Sequence, residues 1–120
     1  ARATGLVLQA MNGKLDGTSL RVPIPDGSIT DFTAVLSATP SVEDINQAFA
    51  SAASTAPLRG VLSYSEDPLV SADIVGDPSS CVFDSGLTMT IDNLVKVSGW
   101  YDNEWGYSNR LVDLVEITCS

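Results

Sequence analysis

The chain contains no histidine, and that one gap removes several kinds of chemistry at once. No imidazole is available to ligate zinc, to serve as base for a serine or cysteine nucleophile, or to relay protons near neutral pH. Cysteine is nearly as scarce, with only Cys81 and Cys119 and no C-x-x-C. With no secretory leader pattern beside them, the pair is expected to be free thiols of a cytoplasmic protein. Basic residues are few: six face fifteen acidic ones, for a net charge of -9. Such a balance repels phosphate backbones and anionic lipid, so neither nucleic acid nor a membrane is expected as a partner. No apolar run approaches the length of a membrane span, and no G-x-S-x-G or P-loop is present.

What is present suits one small domain spanning residues 1–120. Hydrophobic residues make up 44% of the 120 positions and mean hydropathy is +0.17, enough for a single core. From the start, Leu6, Val7, Leu8 and Met11 predict a helix over 3–11 that Asn12-Gly13 would end. Leu20, Val22 and Ile24 alternate with Ser19, Arg21 and Pro23 and predict a strand over 18–24. Pro25-Asp26-Gly27-Ser28 would turn it into a second strand over 29–36, the two forming a hairpin. Ser41 and Asp44 form a capping-box pattern ahead of Val42, Ile45, Ala48, Phe49 and Ala52, an amphipathic helix expected to end before Pro57. Short strands are expected over 60–64, 81–83, 87–91 and 94–101, with a polar loop over 65–78. The total is an α+β fold: a mixed or antiparallel sheet of five or six strands with about three helices on one face.

The aromatics are concentrated at one place. Both tryptophans and two of the three tyrosines fall within 100–107, in Gly99-Trp100-Tyr101-Asp102-Asn103-Glu104-Trp105-Gly106-Tyr107. There a strand hands over to a helix carrying Tyr107, Leu111, Leu114 and Val115 at helical spacing. Asn103 is the expected N-cap, with Glu104 in the first turn at the positive end of the helix dipole. Among fifteen carboxylates, Asp31, Asp84, Asp102 and Glu104 are the least arbitrary acid/base candidates, although spacing alone does not separate a perturbed carboxylate from a solvated one.

Trp100 to Leu114, WYDNEWGYSNRLVDL, resembles the C-terminal signature of phosphorylating glyceraldehyde-3-phosphate dehydrogenases. Three further segments match in the family's order: Gly13-Lys14-Leu15 with Leu20-Arg21-Val22-Pro23-Ile24-Pro25, then Glu66-Asp67-Pro68-Leu69-Val70-Ser71, then Asp84-Ser85-Gly86-Leu87-Thr88. Several ordered matches over about residues 1–115 are far more specific than one short motif. The resemblance implies that Arg21 helps bind substrate or inorganic phosphate, that Asn103 contacts the nicotinamide carboxamide with Tyr107 nearby, and that Cys81 is not the nucleophile. The bland alternatives are an Arg21–Asp31 surface pair, a helix cap for Asn103, a core-facing Tyr107 and a small buried hydrophobe at Cys81.

The family's Gly-rich nucleotide-binding half, its nucleophile segment and its catalytic histidine have no match here. On that reading the chain is a truncated portion of the catalytic domain, with no cofactor of its own and NAD only as part of a full-length enzyme. Trp100, Tyr101 and Trp105 would then form an aromatic surface meant to be covered, open to a small-molecule ligand or to homo-oligomerisation through the vacated interface. Gln9 to Asn12 and Ser37 to Thr39 depart from the family's usual charged residues. Two alternatives therefore stand beside a partial dehydrogenase: a repurposed homologue with an NAD-independent enzymatic or small-molecule-binding role, and a non-enzymatic self-association or partner-binding module.

Overall fold

The computed structural model describes residues 2–119. Its organising element is the strand β4, Leu94–Tyr101, which pairs along its length with two others. On one side lies β1, Ser28–Val35, antiparallel, from Ser28 opposite Tyr101 to Val35 opposite Leu94. On the other lies β3, Cys81–Ile91, also antiparallel. A short fourth strand, β2, Leu62–Ser65, adds to β3 in parallel, so the order across the sheet is β1-β4-β3-β2.

Four strands are found among the described residues, not five or six. Two expected strands are one: β3 runs from Cys81 through Gly86 to Ile91, and its register against β4 shifts between Asp84 and Met89. A β-bulge absorbs the extra residues that the sequence pattern suggested would break the strand. The expected strand over 18–24 is absent. Leu20, Val22 and Ile24 are 87%, 60% and 40% exposed, and the hairpin does not form because β1 takes its partner from the far end of the chain. Pro23 removes a ladder donor from that stretch and Pro25 another just beyond it, which weakens any pairing it could make.

Among the described residues the α-helices number four rather than three. The N-terminal helix is split into α1, Arg2–Val7, and a 3-10 turn at Gln9–Met11, and Gly13 follows in the left-handed conformation at φ 72°. The helix α2, Val42–Ser54, starts with the expected capping box: Ser41 Oγ accepts from Asp44 N–H at 3.1 Å, and Asp44 Oδ2 accepts from Ser41 N–H at 2.9 Å. Inside the loop expected over 65–78 sits α3, Ser71–Ile74, which buries Ile74. The last helix, α4, is Trp105–Cys119.

The core lies between α2 and the sheet. Ile45, Phe83 and Val95 are buried together, with Phe49, Leu62, Tyr64 and Val97 packed around them. The Phe49 and Phe83 rings stack with centroids 4.0 Å apart and planes 10° from parallel. Thr88 on β3 donates to Asn46 of α2 at 2.7 Å, giving the same contact a polar edge.

The side of the sheet away from α2 is different. Successive strand residues point to opposite faces, so Ile29, Val35, Met89, Ile91 and Leu94 point away from the core, and all five are exposed. The described chain exposes 8652 Å² in total, against roughly 6,200 Å² expected of a compact monomer of this mass. No helix among the described residues is long and apolar enough to cross a membrane.

Candidate functional site

The junction between β4 and α4 is tied down by two buried aspartates that follow the alternation of the strand. Asp84 on β3 is 4% exposed and accepts from Trp100 Nε1–H at 2.9 Å and from Gly86 N–H at 3.1 Å. Its register partner on β4 is Ser98, so the indole of Trp100 reaches along one face of the sheet to meet it. Trp100 is therefore half-buried with its polar atom satisfied, and Tyr101 is half-buried as well; Trp105, at 51% exposed, is the open member of the aromatic group.

Asp102, 6% exposed, holds the turn itself. Oδ1 accepts from Glu104 N–H at 3.0 Å and Trp105 N–H at 2.7 Å, and Oδ2 accepts from Gly76 N–H at 2.9 Å. It supplies the side-chain cap that the sequence pattern assigned to Asn103. The physical reason is position: Asp102 directly follows β4 and is buried, where its two oxygens reach backbone donors on both sides. Glu104 lies just ahead of α4, its carbonyl accepting the first helical bond from Ser108 N–H at 2.9 Å, so it is not a first-turn residue. The N–H groups of Gly76, first, and of Trp105 hold the Asp102 carboxyl below the ordinary aspartate value.

The start of α4 comes very close to the loop before β3. A Cβ on Gly106 would lie 2.4 Å from the Ser79 carbonyl oxygen, so only glycine permits this approach. One turn on, Arg110 pairs with Asp113 at 2.7 Å and donates to the Gly60 carbonyl and Ser80 Oγ at 3.4 Å each.

Asn103 is exposed at the outside of this turn and receives two contacts from the other end of the sequence. Ser28 Oγ–H donates to Asn103 Oδ1, and Asp26 Oδ1 accepts from Asn103 N–H at 3.4 Å. Carboxylate oxygens of Asp26, Asp102 and Glu104 lie within 4.8 Å of one another, but those of Asp102 are already committed to three backbone donors. Neither Ser28 nor Asp26 is a site residue by sequence pattern. Their stretch carries only a turn signal, and nothing local marks a contact across more than 70 positions.

The remaining expected residues are dispersed. Arg21 lies exposed in irregular chain between Gly13 and β1, and it makes no ion pair among the described residues. The alternative Arg21–Asp31 pair is not formed: Asp31 on β1 pairs instead with Lys96 on β4 at 2.8 Å, a neighbour the ladder supplies. Tyr107 is 67% exposed, not core-facing, since the helix that carries it stands away from the sheet. Cys81 and Cys119 are free thiols. Cys81 is half-buried against Gly99, where an added Cβ would fall 2.4 Å from Sγ, and burial pushes its thiol pKa up.

The sequence model described as glyceraldehyde 3-phosphate dehydrogenase, C-terminal domain, matches residues 1–103. The chain belongs to that family. It is 62% identical over 117 residues to a glyceraldehyde-3-phosphate dehydrogenase of Mycobacterium avium, covering 98% of this chain and 34% of the relative. Identity is 61% to one from Mycolicibacterium smegmatis, with the same coverage. It is 58% to glyceraldehyde-3-phosphate dehydrogenase 2 of Streptomyces arenae, covering 98% of this chain and 35% of that protein. The chain thus spans about a third of the length of these relatives. Within the family's C-terminal domain, the tied turn at Asp102 and the exposed Asn103 belong to the strand-to-helix segment that carried the first resemblance.

Proposed function

We propose that these 120 residues supply one wall of the active site of an NAD-dependent phosphorylating aldehyde dehydrogenase, and that the nucleotide-binding half, the nucleophile and the catalytic imidazole come from residues other than these. The observation that carries this reading is the family match over residues 1–103 in a chain without histidine. Cys81 does not fit the nucleophile: it backs Gly99 inside the sheet, and a thiol whose pKa is raised yields little thiolate. In this reading Asn103 and Tyr107 face the nicotinamide end of the cofactor, and Arg21 offers its fork of donors to a phosphate.

The donor set fits such a cofactor. Asn103 is exposed, its Oδ1 is taken by Ser28, and its Nδ2 makes no hydrogen bond among the described residues. That leaves an amide donor for a carboxamide oxygen. Bound NAD would supply the hydride acceptor; this chain's part is to bind, orient and shield. The exposed apolar side chains of α4, among them Leu111, Val112, Leu114 and Val115, support the further reading that another part of the protein or a second copy covers this side.

The test compares the 120-residue chain with the complete protein that carries it. The chain alone should neither oxidise glyceraldehyde-3-phosphate nor bind NAD, read as saturable quenching of Trp100 and Trp105 fluorescence. In the complete protein, Arg21→Ala should raise the KM for phosphate by about tenfold or more, the cost of losing a charge-assisted pair. Turnover by the chain alone would overturn the proposal.

A further inference from the structure

Of the five asparagines in this chain, only Asn12 precedes a glycine. The pair closes the 3-10 turn: Asn12 N–H donates to the Gln9 carbonyl at 3.1 Å, and Gly13 redirects the chain at φ 72°. Both residues are exposed, and among the described residues neither the Asn12 side-chain amide nor the Gly13 N–H makes a hydrogen bond. Apart from its chain neighbours, no heavy atom lies within 4 Å of where a Gly13 Cβ would stand, so nothing crowds that nitrogen. Two nearby glycines follow aspartates instead, and their surroundings differ. Gly17 N–H donates to Asp16 Oδ1 at 2.8 Å and Gly27 N–H to Asp26 Oδ1 at 2.6 Å. Those amide protons are held, and an ionised carboxylate resists attack by a second negative charge. Gly27 is also packed, its Cβ position 2.9 Å from the Ser71 carbonyl oxygen. Among these three steps, a neutral amide beside an unheld N–H occurs only at Asn12.

We infer that Asn12-Gly13 is a site of spontaneous covalent modification, where deamidation to isoaspartate loosens the turn between the N-terminal helix and the segment carrying Arg21. The Gly13 nitrogen gives its proton to hydroxide and attacks Asn12 Cγ. The new N–C bond closes a succinimide, and the side-chain nitrogen takes a proton from water and leaves as ammonia. Water then opens one or the other carbonyl of the ring, giving aspartate or isoaspartate, with no oxidant or reductant involved. Ring closure requires rotation about Asn12 ψ, which stands at 126°. The backbone bond across this step, Lys14 N–H to the Met11 carbonyl at 3.1 Å, opposes that rotation. Isoaspartate places an extra methylene in the main chain between residues 12 and 13, so the Lys14–Met11 bond is lost. The Asn12–Gln9 bond lies before the step and survives. An amide two residues from Lys14 also becomes an acceptor-only carboxylate.

The experiment is peptide mass spectrometry of the complete protein carrying these residues, kept folded at mildly alkaline pH, with isoaspartate detected by enzymatic methylation. Residue 12 should become about one dalton heavier, and faster than Asn46, Asn93, Asn103 or Asn109 by about tenfold or more, a barrier lower by about 1.4 kcal/mol. Gly13→Ala should slow the conversion by about tenfold or more. Asn12→Gln, which keeps an amide but would have to close a larger ring, should abolish it without straining the turn. In the converted protein, amide hydrogen exchange should rise at Lys14 and stay unchanged at residue 12. If the folded protein keeps Asn12 intact while the isolated peptide deamidates, or if Asn12 converts no faster than the other asparagines, the inference fails. If isoaspartate forms but exchange at Lys14 does not change, the loosening of the turn fails.

Discussion

The two long helices begin in the same way and end up in different surroundings. Both α2 and α4 start beside an aspartate whose carboxyl is held below its ordinary pKa by hydrogen bonds. At α2 the arrangement is local: Asp44 and Ser41 are three residues apart, both exposed, and serve only each other. The helix then buries Ile45 and packs Phe49 on Phe83. At α4 the aspartate is buried and reaches Gly76, 26 residues away, yet the helix beyond it buries only Gly106. The first helix is stabilised along its length by the core and needs its cap least. The second is anchored at its root by Asp102, Gly106 and Arg110, and offers the rest of its surface.

Substitutions sharpen that contrast. The largest loss of stability is expected from Phe83→Ala, about 3–5 kcal/mol by denaturant unfolding, because it empties the contact beneath α2. Leu114→Ala on α4 should cost within about 0.5 kcal/mol in the 120-residue chain. Equal losses at the two sites would break the comparison by showing α4 packed in solution.

Gly106→Ala comes next, at about 1–3 kcal/mol, since its Cβ would meet a backbone carbonyl that has no rotamer with which to yield. Circular dichroism and tryptophan fluorescence should show α4 and Trp105 displaced while the core around α2 persists.

At the two helix starts, Asp102→Asn should destabilise more than Ser41→Ala, itself worth about 1 kcal/mol. An asparagine places an N–H₂ group against one of the donors that the carboxylate satisfies. Amide hydrogen exchange at Gly76 should rise in the Asp102 variant and stay unchanged in the Ser41 variant.

The smallest effect is in pH. A carboxyl whose folded pKa is depressed favours the folded state above its unfolded value, near pH 4, and loses that contribution as pH falls through the lower folded value. Acid titration of stability should therefore slope downward below about pH 4, and less steeply in Asp102→Asn than in the parent chain.

Some of this was legible residue by residue. The Ser41/Asp44 box, the span of β4, and Gly13 as a left-handed terminator all depend on neighbours within a few positions, and all were found. The pattern misled where a partner had to be supplied from elsewhere. Leu20, Val22 and Ile24 alternate as a strand would, but alternation says which side chains would share a face, not whether a neighbouring strand exists to pair with. Asn103 has cap chemistry, yet Asp102 took the role and Ser28 took the Asn103 oxygen. The motif around Trp100 pointed to the right junction without indicating that Asp84 would hold its indole.

By itself, then, the sequence determined the family, the class of fold and the segment where a strand becomes a helix, because motifs, periodicity and caps are written over short distances. Which oxygen meets which donor was decided only when β1 closed on β4 and the loop at Gly76 came up beneath Asp102. Those contacts join residues 26 to 77 positions apart, and no local pattern encodes a meeting that only the pairing of strands brings about.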